Sequence, residues 1–416
     1  MFVDDLREKI KGKGVRIVFT EGPDNRVQEA AVRLQREGIL NPILLGDKDE
    51  IAATAKLYSH DLSGIKIMCP QEFTDMDKMV TRMIELRRGK MDEAACRKAL
   101  QQTNYFGTML VQMGYADGLL GGATYSTADT VRPALQLVKA APGNSIVSSC
   151  FVLVKGEEQL VMGDCSININ PNVDELVEIT MQTANTVKQL GMTPRIGLLS
   201  YSTLGSAKGE SVSKVREAAI RLSRMPLDYK VEGEMQFDCC VAPEVAALKA
   251  PESEIAGNIN TFIFPNIDAG NIGYKIAARL GGWEAIGPIL QGLNAPINDL
   301  PRMQCGRSLQ DVHRDRRTEI HEYLIKEAAV KWLRLFLLTR KRARRMLEMK
   351  GGNLMWTRAE LKEKAKAMMK HSYWMMFSVS LVAYLLTDAF ADILDTLSEQ
   401  HLLPLRGGLN LTVNGR

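Results

Sequence analysis

A chain of 416 residues is long enough for two domains with cores of their own, and 45% hydrophobic with 25% charged residues is an ordinary globular composition. Disordered and collagen-like classes are thereby set aside. The net charge of +4 is divided unevenly: 20 Lys and Arg stand against 12 Asp and Glu beyond residue 302, and 33 against 37 before it. The front is a mildly acidic body, which speaks against nucleic acid as a partner. The tail has a different composition and holds His313, His321, His371 and His401. The opening MFVDDLREKI is charged and carries no apolar signal core. Seven scattered cysteines without a CxxC suit reduced thiols in a cytoplasm better than a disulfide framework or a zinc site.

From residue 15 to 302 the chain alternates short apolar, β-branched runs with helical patterns. VRIVF from Val15, PILLG from Pro42, IKIMC from Ile65, SIVSSCFVLV from Ser145, RIGLLS from Arg195 and TFIFP from Thr261 read as strands. The stretches from Asn25 to Gly38 and from Val173 to Gly191 read as helices closing on a glycine suited to the left-handed cap position. This alternation predicts an α/β fold of mainly parallel sheets with flanking helices, its ligands held outside the carboxyl ends of the strands.

Four polar, glycine-rich segments follow strands and read as loops: GGATYSTADTVRP from Gly121, LSYSTLGSAKG from Leu199, FPNIDAGNIGYK from Phe264 and GPILQGLNAPINDLPR from Gly287. Glycine lets backbone approach an anion, while Ser, Thr, Lys and Arg donate to phosphate oxygens. Ser126, Thr127, Ser206, Lys208, Tyr274 and Lys275 are thus candidate substrate contacts. Singly, each segment is ordinary turn chemistry; together in one α/β body they point to an anion or phosphoester site. Neither a P-loop nor a GxGxxG turn is present.

The strings DTVRPALQ, LSYSTLGSAKG, FIFPNIDAGNIGYKIAARL and GPILQGLNAPINDL closely resemble the phosphate acetyltransferase family, with phosphate butyryltransferases as the neighbouring alternative. The resemblance implies a two-domain, isocitrate-dehydrogenase-like fold with a cleft between the domains, and a homodimer. Residues 1–142, with 290–302 returning to them, would form one domain and 143–289 the other. It implies coenzyme A as a substrate, with no tightly bound cofactor and no metal. Arg87 and Arg132 match arginines used around coenzyme A, and Arg279 and Arg302 match arginines at the active site. Guanidinium forks pair with phosphate in two-point fashion, although surface ion pairing is the commoner fate of an arginine. A decarboxylating dehydrogenase of similar fold fits less well, because no metal-binding aspartate cluster matches.

The resemblance breaks at residue 301. The family continues NDL with serine, arginine, glycine and cysteine, and places its catalytic aspartate seven positions after the serine; here Pro301 and Ser308 stand at those two positions. Asp311 and Asp315 are nearby but out of register. Codons can be chosen for Asp299 to Arg317 that read DLSRGCNAEDLYKMYIVTA once two bases are restored, which recovers the motif and predicts a frameshift. On that reading residues 303–354, including the basic run LRLFLLTRKRARRMLEMK, are frameshifted or intergenic sequence. From Met355 the chain resembles the start of an uncharacterised family of bacterial integral-membrane proteins, as a fragment over 355–416. The apolar stretch from Tyr373 to Leu386 falls short of the roughly 20 residues that span a bilayer. The expected tail is helical or disordered. The competing reading is a real fusion, with a catalytically impaired body and a tail that contacts membrane.

Overall fold

The computed structural model describes residues 2–300. The expectations placed on Pro301, Arg302, Ser308 and the tail segments 303–354 and 355–416 lie outside the described residues.

The first half of the chain runs α1 (Phe2–Ile10), β1 (Arg16–Phe19), α2 (Asn25–Arg36), β2 (Asn41–Leu45), α3 (Lys48–Tyr58), β3 (Lys66–Met68), α4 (Met76–Arg87), α5 (Glu93–Leu100), α6 (Thr103–Gln112), β4 (Gly118–Gly121) and α7 (Thr127–Pro133). It continues through β5 (Ser148–Lys155), β6 (Glu158–Gly163), α8 (Val173–Gln189), β7 (Arg195–Leu199), α9 (Glu210–Ser223), β8 (Lys230–Met235), α10 (Phe237–Val241), α11 (Pro243–Lys249), β9 (Thr261–Ile263), α12 (Ile267–Arg279), β10 (Glu284–Gln291) and β11 (Ile297–Asp299).

Two sheets result. One has the order β11-β4-β1-β2-β3 and is parallel throughout; the other has the order β10-β5-β6-β9-β7-β8. In the second sheet β6, β9, β7 and β8 are parallel neighbours, while β10, β5 and β6 pair antiparallel. The antiparallel part follows from a two-residue connection at Gly156 and Glu157, with Gly156 at φ +60. So short a link permits only a hairpin, whereas parallel neighbours need a crossover.

The helices form for the reasons their patterns predict. In α2, Asp24 caps the amino end through the amides of Arg26 and Val27, and Val27, Ala30, Ala31 and Leu34 recur on one buried face. Gly38, at φ +69, takes the left-handed position just past the end. In α8, Asn172 and Glu175 form a reciprocal capping box, and Leu176, Ile179, Ala184 and Val187 are buried. Leu6 and Ile10 of α1 join β1, α2, Val152, Val161, Val187, Ile286 and Ile289 in one apolar cluster, so both sheets share a core. Burying each such side chain stabilises the fold by about 1.5–3 kcal/mol.

The fourth glycine-rich segment is not a loop. Residues 287–291 lie in β10 and 297–299 in β11, and Ile289, Leu290, Gln291, Ile297, Asn298 and Asp299 are all buried. Gly287 and Pro288 mark an irregularity of a strand, since the register of β10 against β5 shifts between Ile286 and Ile289, while Gly292 and Pro296 lie in the short connection to β11. The second and third segments do follow strand ends, after β7 and β9, although the third winds quickly into α12.

Candidate active site

Polar side chains gather at the carboxyl edge of the first sheet. Glu21, two residues past the end of β1, is 7% exposed. Its Oε1 accepts the amides of Gly122, Thr124 and Tyr125 at 3.0, 3.1 and 3.1 Å. Its Oε2 accepts the Thr20 hydroxyl at 2.7 Å. Arg26 grips the same loop from the other polarity: its Nη2 donates to the Ala123 carbonyl at 3.2 Å while Nε and Nη2 hold Asp24 at 2.9 and 2.6 Å. Burial pushes the Asp24 carboxyl up, but Arg26 and the helix amides outweigh it and leave the group below the usual carboxylate range.

β11 reaches this loop as well. The Leu300 amide donates to the Gly121 carbonyl at 2.6 Å, so the described chain ends beside the turn that carries Ser126 and Thr127. A cavity of about 520 Å³ opens here, at the ends of β1, β2 and β3, lined among others by Glu21, Asp24, Asp47, Glu50, Gln71 and Tyr125. Glu21, Asp24, Asp47 and Glu50 make its wall rich in carboxylates.

The cations sit elsewhere on the same half of the molecule. Arg87 is the last residue of α4, and its Nε is buried without a hydrogen-bond partner. Lys139 donates from Nζ to the Leu86 carbonyl at 3.0 Å. Burial, and the nearness of Arg88, Arg87, Arg82 and Lys90, hold the Lys139 ammonium below its usual range. The turn Ala134–Val138, which continues α7, packs against α4. Arg87 and Arg132 therefore lie on neighbouring elements, and Lys139, just past that turn, reaches back to Leu86 beside Arg87. Arg132 is exposed, in the last turn of α7, with no hydrogen-bond or ion-pair partner among the described residues.

Ser126 has a structural task. Its hydroxyl accepts the Asp129 amide at 3.2 Å and its own amide donates to Asp129 Oδ2 at 3.3 Å, forming the capping box of α7, and the hydroxyl also donates to Asp129 Oδ2 at 2.6 Å. Thr127 follows it, exposed.

On the second sheet, the loop after β7 is built on a buried carboxylate. Glu234 is 1% exposed; it takes Arg216 in a two-point pair at 2.9 and 2.7 Å, the Ser202 hydroxyl at 2.9 Å and the Gly205 amide at 2.9 Å. Burial pushes its pKa up, and the Arg216 guanidinium with the Gly205 amide more than reverses that, bringing it to about 2. The loop is thus fixed while Ser206 and Lys208 are exposed on it. Ser206 Oγ accepts the Thr203 amide at 3.0 Å, and the Lys208 carbonyl accepts the Tyr201 hydroxyl at 3.2 Å.

α12 carries the remaining candidates and packs on β10, β5 and β6. The Tyr274 ring stacks on Phe151 at 3.9 Å between centroids, and burial raises its phenol pKa. Lys275 donates to Asn271 Oδ1 at 2.7 Å. Arg279 is exposed in the last turn, close enough to Tyr274 to oppose that shift. Arg279 thus stands on the second sheet's side and Arg132 on the first's, where α7 packs against β11.

Sequence reasoning passed over Glu21, Arg26 and Lys139. The first two lie in TEGPDNR directly after a strand, which is a signal for a site in such a fold. Lys139 carried no local signal. Among the described residues no group of His, Cys, Asp and Glu could hold a metal, and no helix is long and apolar enough to cross a membrane.

Fold and site together define a class: a two-sheet α/β protein with exposed arginines, Arg132 and Arg279, on helices that flank its sheets. Comparison with known proteins narrows it. A profile described as phosphate acetyl/butaryl transferase matches residues 1–312, and the chain belongs to that family. The phosphate acetyltransferase of Bacillus subtilis is 49% identical over 308 residues, 74% of this chain and 94% of that protein. A phosphotransacetylase structure from Streptococcus pyogenes is similar at 47% identity and a TM-score of 0.72, covering 79% of this chain and 97% of that one. The EutD phosphotransacetylase from Staphylococcus aureus is similar at 42% identity and a TM-score of 0.71, covering 79% and 98%.

Proposed function

We propose that this protein is a phosphate acetyltransferase, exchanging an acetyl group between coenzyme A and inorganic phosphate. The observation that carries the reading is three arginines with no carboxylate partner among the described residues, on a mildly acidic body: Arg87 and Arg132 by the first sheet, Arg279 by the second. The high identity to named phosphate acetyltransferases supports it.

The reaction needs little covalent help from the protein. The coenzyme thiol, with an ordinary pKa of about 8.5, attacks well only as thiolate. Its sulfur bonds to the acetyl carbon, the bond from that carbon to the phosphate oxygen breaks, and phosphate departs with the electron pair. Arg87, with Lys139 beside it, and Arg132 would hold the phosphorylated coenzyme, while Arg279 and Arg302 would hold the acyl phosphate. Fixed donors of this kind stabilise the charge that develops on the carbonyl and leaving group. Ser206, Lys208, Tyr274 and Lys275 would contact substrate on the far side, and Thr127 at the near one. The proton of the thiol would go to the family's aspartate, whose position here is held by Ser308.

We read residues 1–142 with 290–302 as one domain and 143–289 as the other; β11 joining the first sheet, and β10 the second, supports this. A cytoplasmic homodimer is the matching expectation. The frameshift remains our reading of the chain after Leu300, and resequencing the codons for Leu300 to Cys305 tests it; a peptide spanning Pro301 to Ser308 would refute it. The activity is tested by following acetyl-CoA formation from acetyl phosphate, with propionyl and butyryl phosphates beside it. Faster turnover of butyryl phosphate would move the protein to the butyryltransferase side of its family.

A further inference from the structure

We propose that Glu21 is a positioning residue of the acyl-transfer site: its carboxylate fills an anion nest in the β4–α7 loop and so sets the turn that carries Thr127 and Arg132. The proposal rests on the functional reading above for the identity of the substrate, but not for the nest itself.

Three backbone amides, those of Gly122, Thr124 and Tyr125, converge on the single oxygen Oε1. Convergent amides are what a phosphate or an oxyanion meets in a binding loop. Here the guest is the protein's own carboxylate, buried, and its partners are neutral: the three amides and the Thr20 hydroxyl. Gly122, at φ +100, makes the convergence possible, since side-chain-bearing residues rarely adopt that conformation. Arg26 completes the clamp through the Ala123 carbonyl. With its amides turned inward, the loop cannot offer them to substrate. Its contribution is its shape, already formed before coenzyme arrives. Losing that shape would cost the entropy of ordering the turn at each binding event.

Glu21 also lines the 520 Å³ cavity, which gives small solutes a route to the nest once the side chain is shortened. The test uses the full chain. In Glu21→Ala, hydrogen exchange at the Gly122, Thr124 and Tyr125 amides is expected to speed up, and calorimetric Kd for coenzyme A to rise about 10-fold, the scale of one lost charge-assisted hydrogen bond. Added formate, entering the emptied nest, is expected to restore both. Damage to the fold away from the nest would not be rescued by a small carboxylate. Unchanged amide exchange, unchanged affinity despite opened amides, or no rescue in a folded variant would each overturn the proposal. Should Glu21→Ala fail to fold, Glu21→Gln keeps the shape and one acceptor oxygen. It is then expected to show intermediate exchange and affinity, and wild-type values for both would overturn the proposal. If the unaltered chain binds no coenzyme A at all, the functional reading fails, while exchange and formate rescue still decide whether the carboxylate sets the loop.

Discussion

The carboxylate of Asp299 occupies the space into which a side chain on Gly122 would project, and the amide nitrogen and carbonyl oxygen of Leu300 close that space 2.8 Å from where a Cβ would stand. The end of β11 and the loop after β4 are therefore fitted to each other at the last described residues. Gly122→Ala meets both a left-handed backbone and a filled space. The expected loss is about 2 kcal/mol or more, seen as a drop in Tm of at least ~4 °C. Gly143→Ala is the control: it shares a positive φ of +89 but meets nothing within 4 Å. Equal losses at the two sites would show that the contact with Asp299 and Leu300 contributes nothing.

Why that contact could not be foreseen is instructive. Gly287, Pro288, Gly292, Asn294 and Pro296 look like turn chemistry, and the segment reads as loop. Between them Ile289 and Leu290, and then Ile297, are apolar and buried, and the Asn298 side chain accepts the Leu290 amide at 3.0 Å. β11 has only three residues and β10 is interrupted by Gly287 and Pro288, so neither declares a period beside so many turn residues. Strands with a clean β-branched run, such as β1 and β5, were legible, as were α2 and α8 with their caps. The arginines were legible too, because they lie in motifs that match the family's, and the ligand they would hold is a proposal. Glu21 and Lys139 were not, since their roles depend on backbone atoms brought from 101 and 53 residues away.

Arg132 is exposed and unpartnered among the described residues, so its removal should leave the fold alone. Arg132→Ala is expected to raise KM for coenzyme A by roughly 10-fold or more at unchanged Tm, as loss of a charge-assisted phosphate contact does. Arg132→Lys keeps the charge but loses the fork, and should recover only part of the affinity. Lys139→Gln should also weaken coenzyme binding, with some loss of stability because its bond to the Leu86 carbonyl goes too. Steady-state kinetics beside thermal melts check all three; an unchanged KM in Arg132→Ala would remove that residue from the site.

The Glu234–Arg216 pair makes stability depend on acid. The folded Glu234 carboxyl titrates at about 2, against an ordinary value of 4.5. A carboxyl depressed on folding stabilises above its unfolded value, and the contribution is lost as pH falls towards the folded one. Between about pH 4.5 and pH 2 the unaltered protein should therefore lose this contribution. Glu234→Gln lacks it at every pH, so the gap in Tm between the two proteins should be widest above pH 5 and close as pH approaches 2 (about one unit either way). A gap that stays constant across that range would mean the carboxylate's charge is not what holds the loop after β7.

The sharpest consequence lies where the family pattern stops. A general base in place contributes on the order of 10²–10⁴ in rate, and Ser308 offers no group that takes a proton from a thiol near neutral pH. Arg87, Arg132 and Arg279 remain, so the chain as written is expected to bind coenzyme A. It should exchange acetyl groups slowly, with the loss in kcat and little change in KM for coenzyme A. A protein re-encoded after Leu300 to read serine, arginine, glycine and cysteine, with the aspartate seven places after the serine, should regain at least ~100-fold in kcat. Substituting asparagine for that restored aspartate should return it to the slow rate, which separates the loss of the base from the loss of the helix that follows. Full turnover by the unrepaired chain would show that the thiol proton leaves by another route, through water or a group nearer the arginines, and that the base does not sit in this segment.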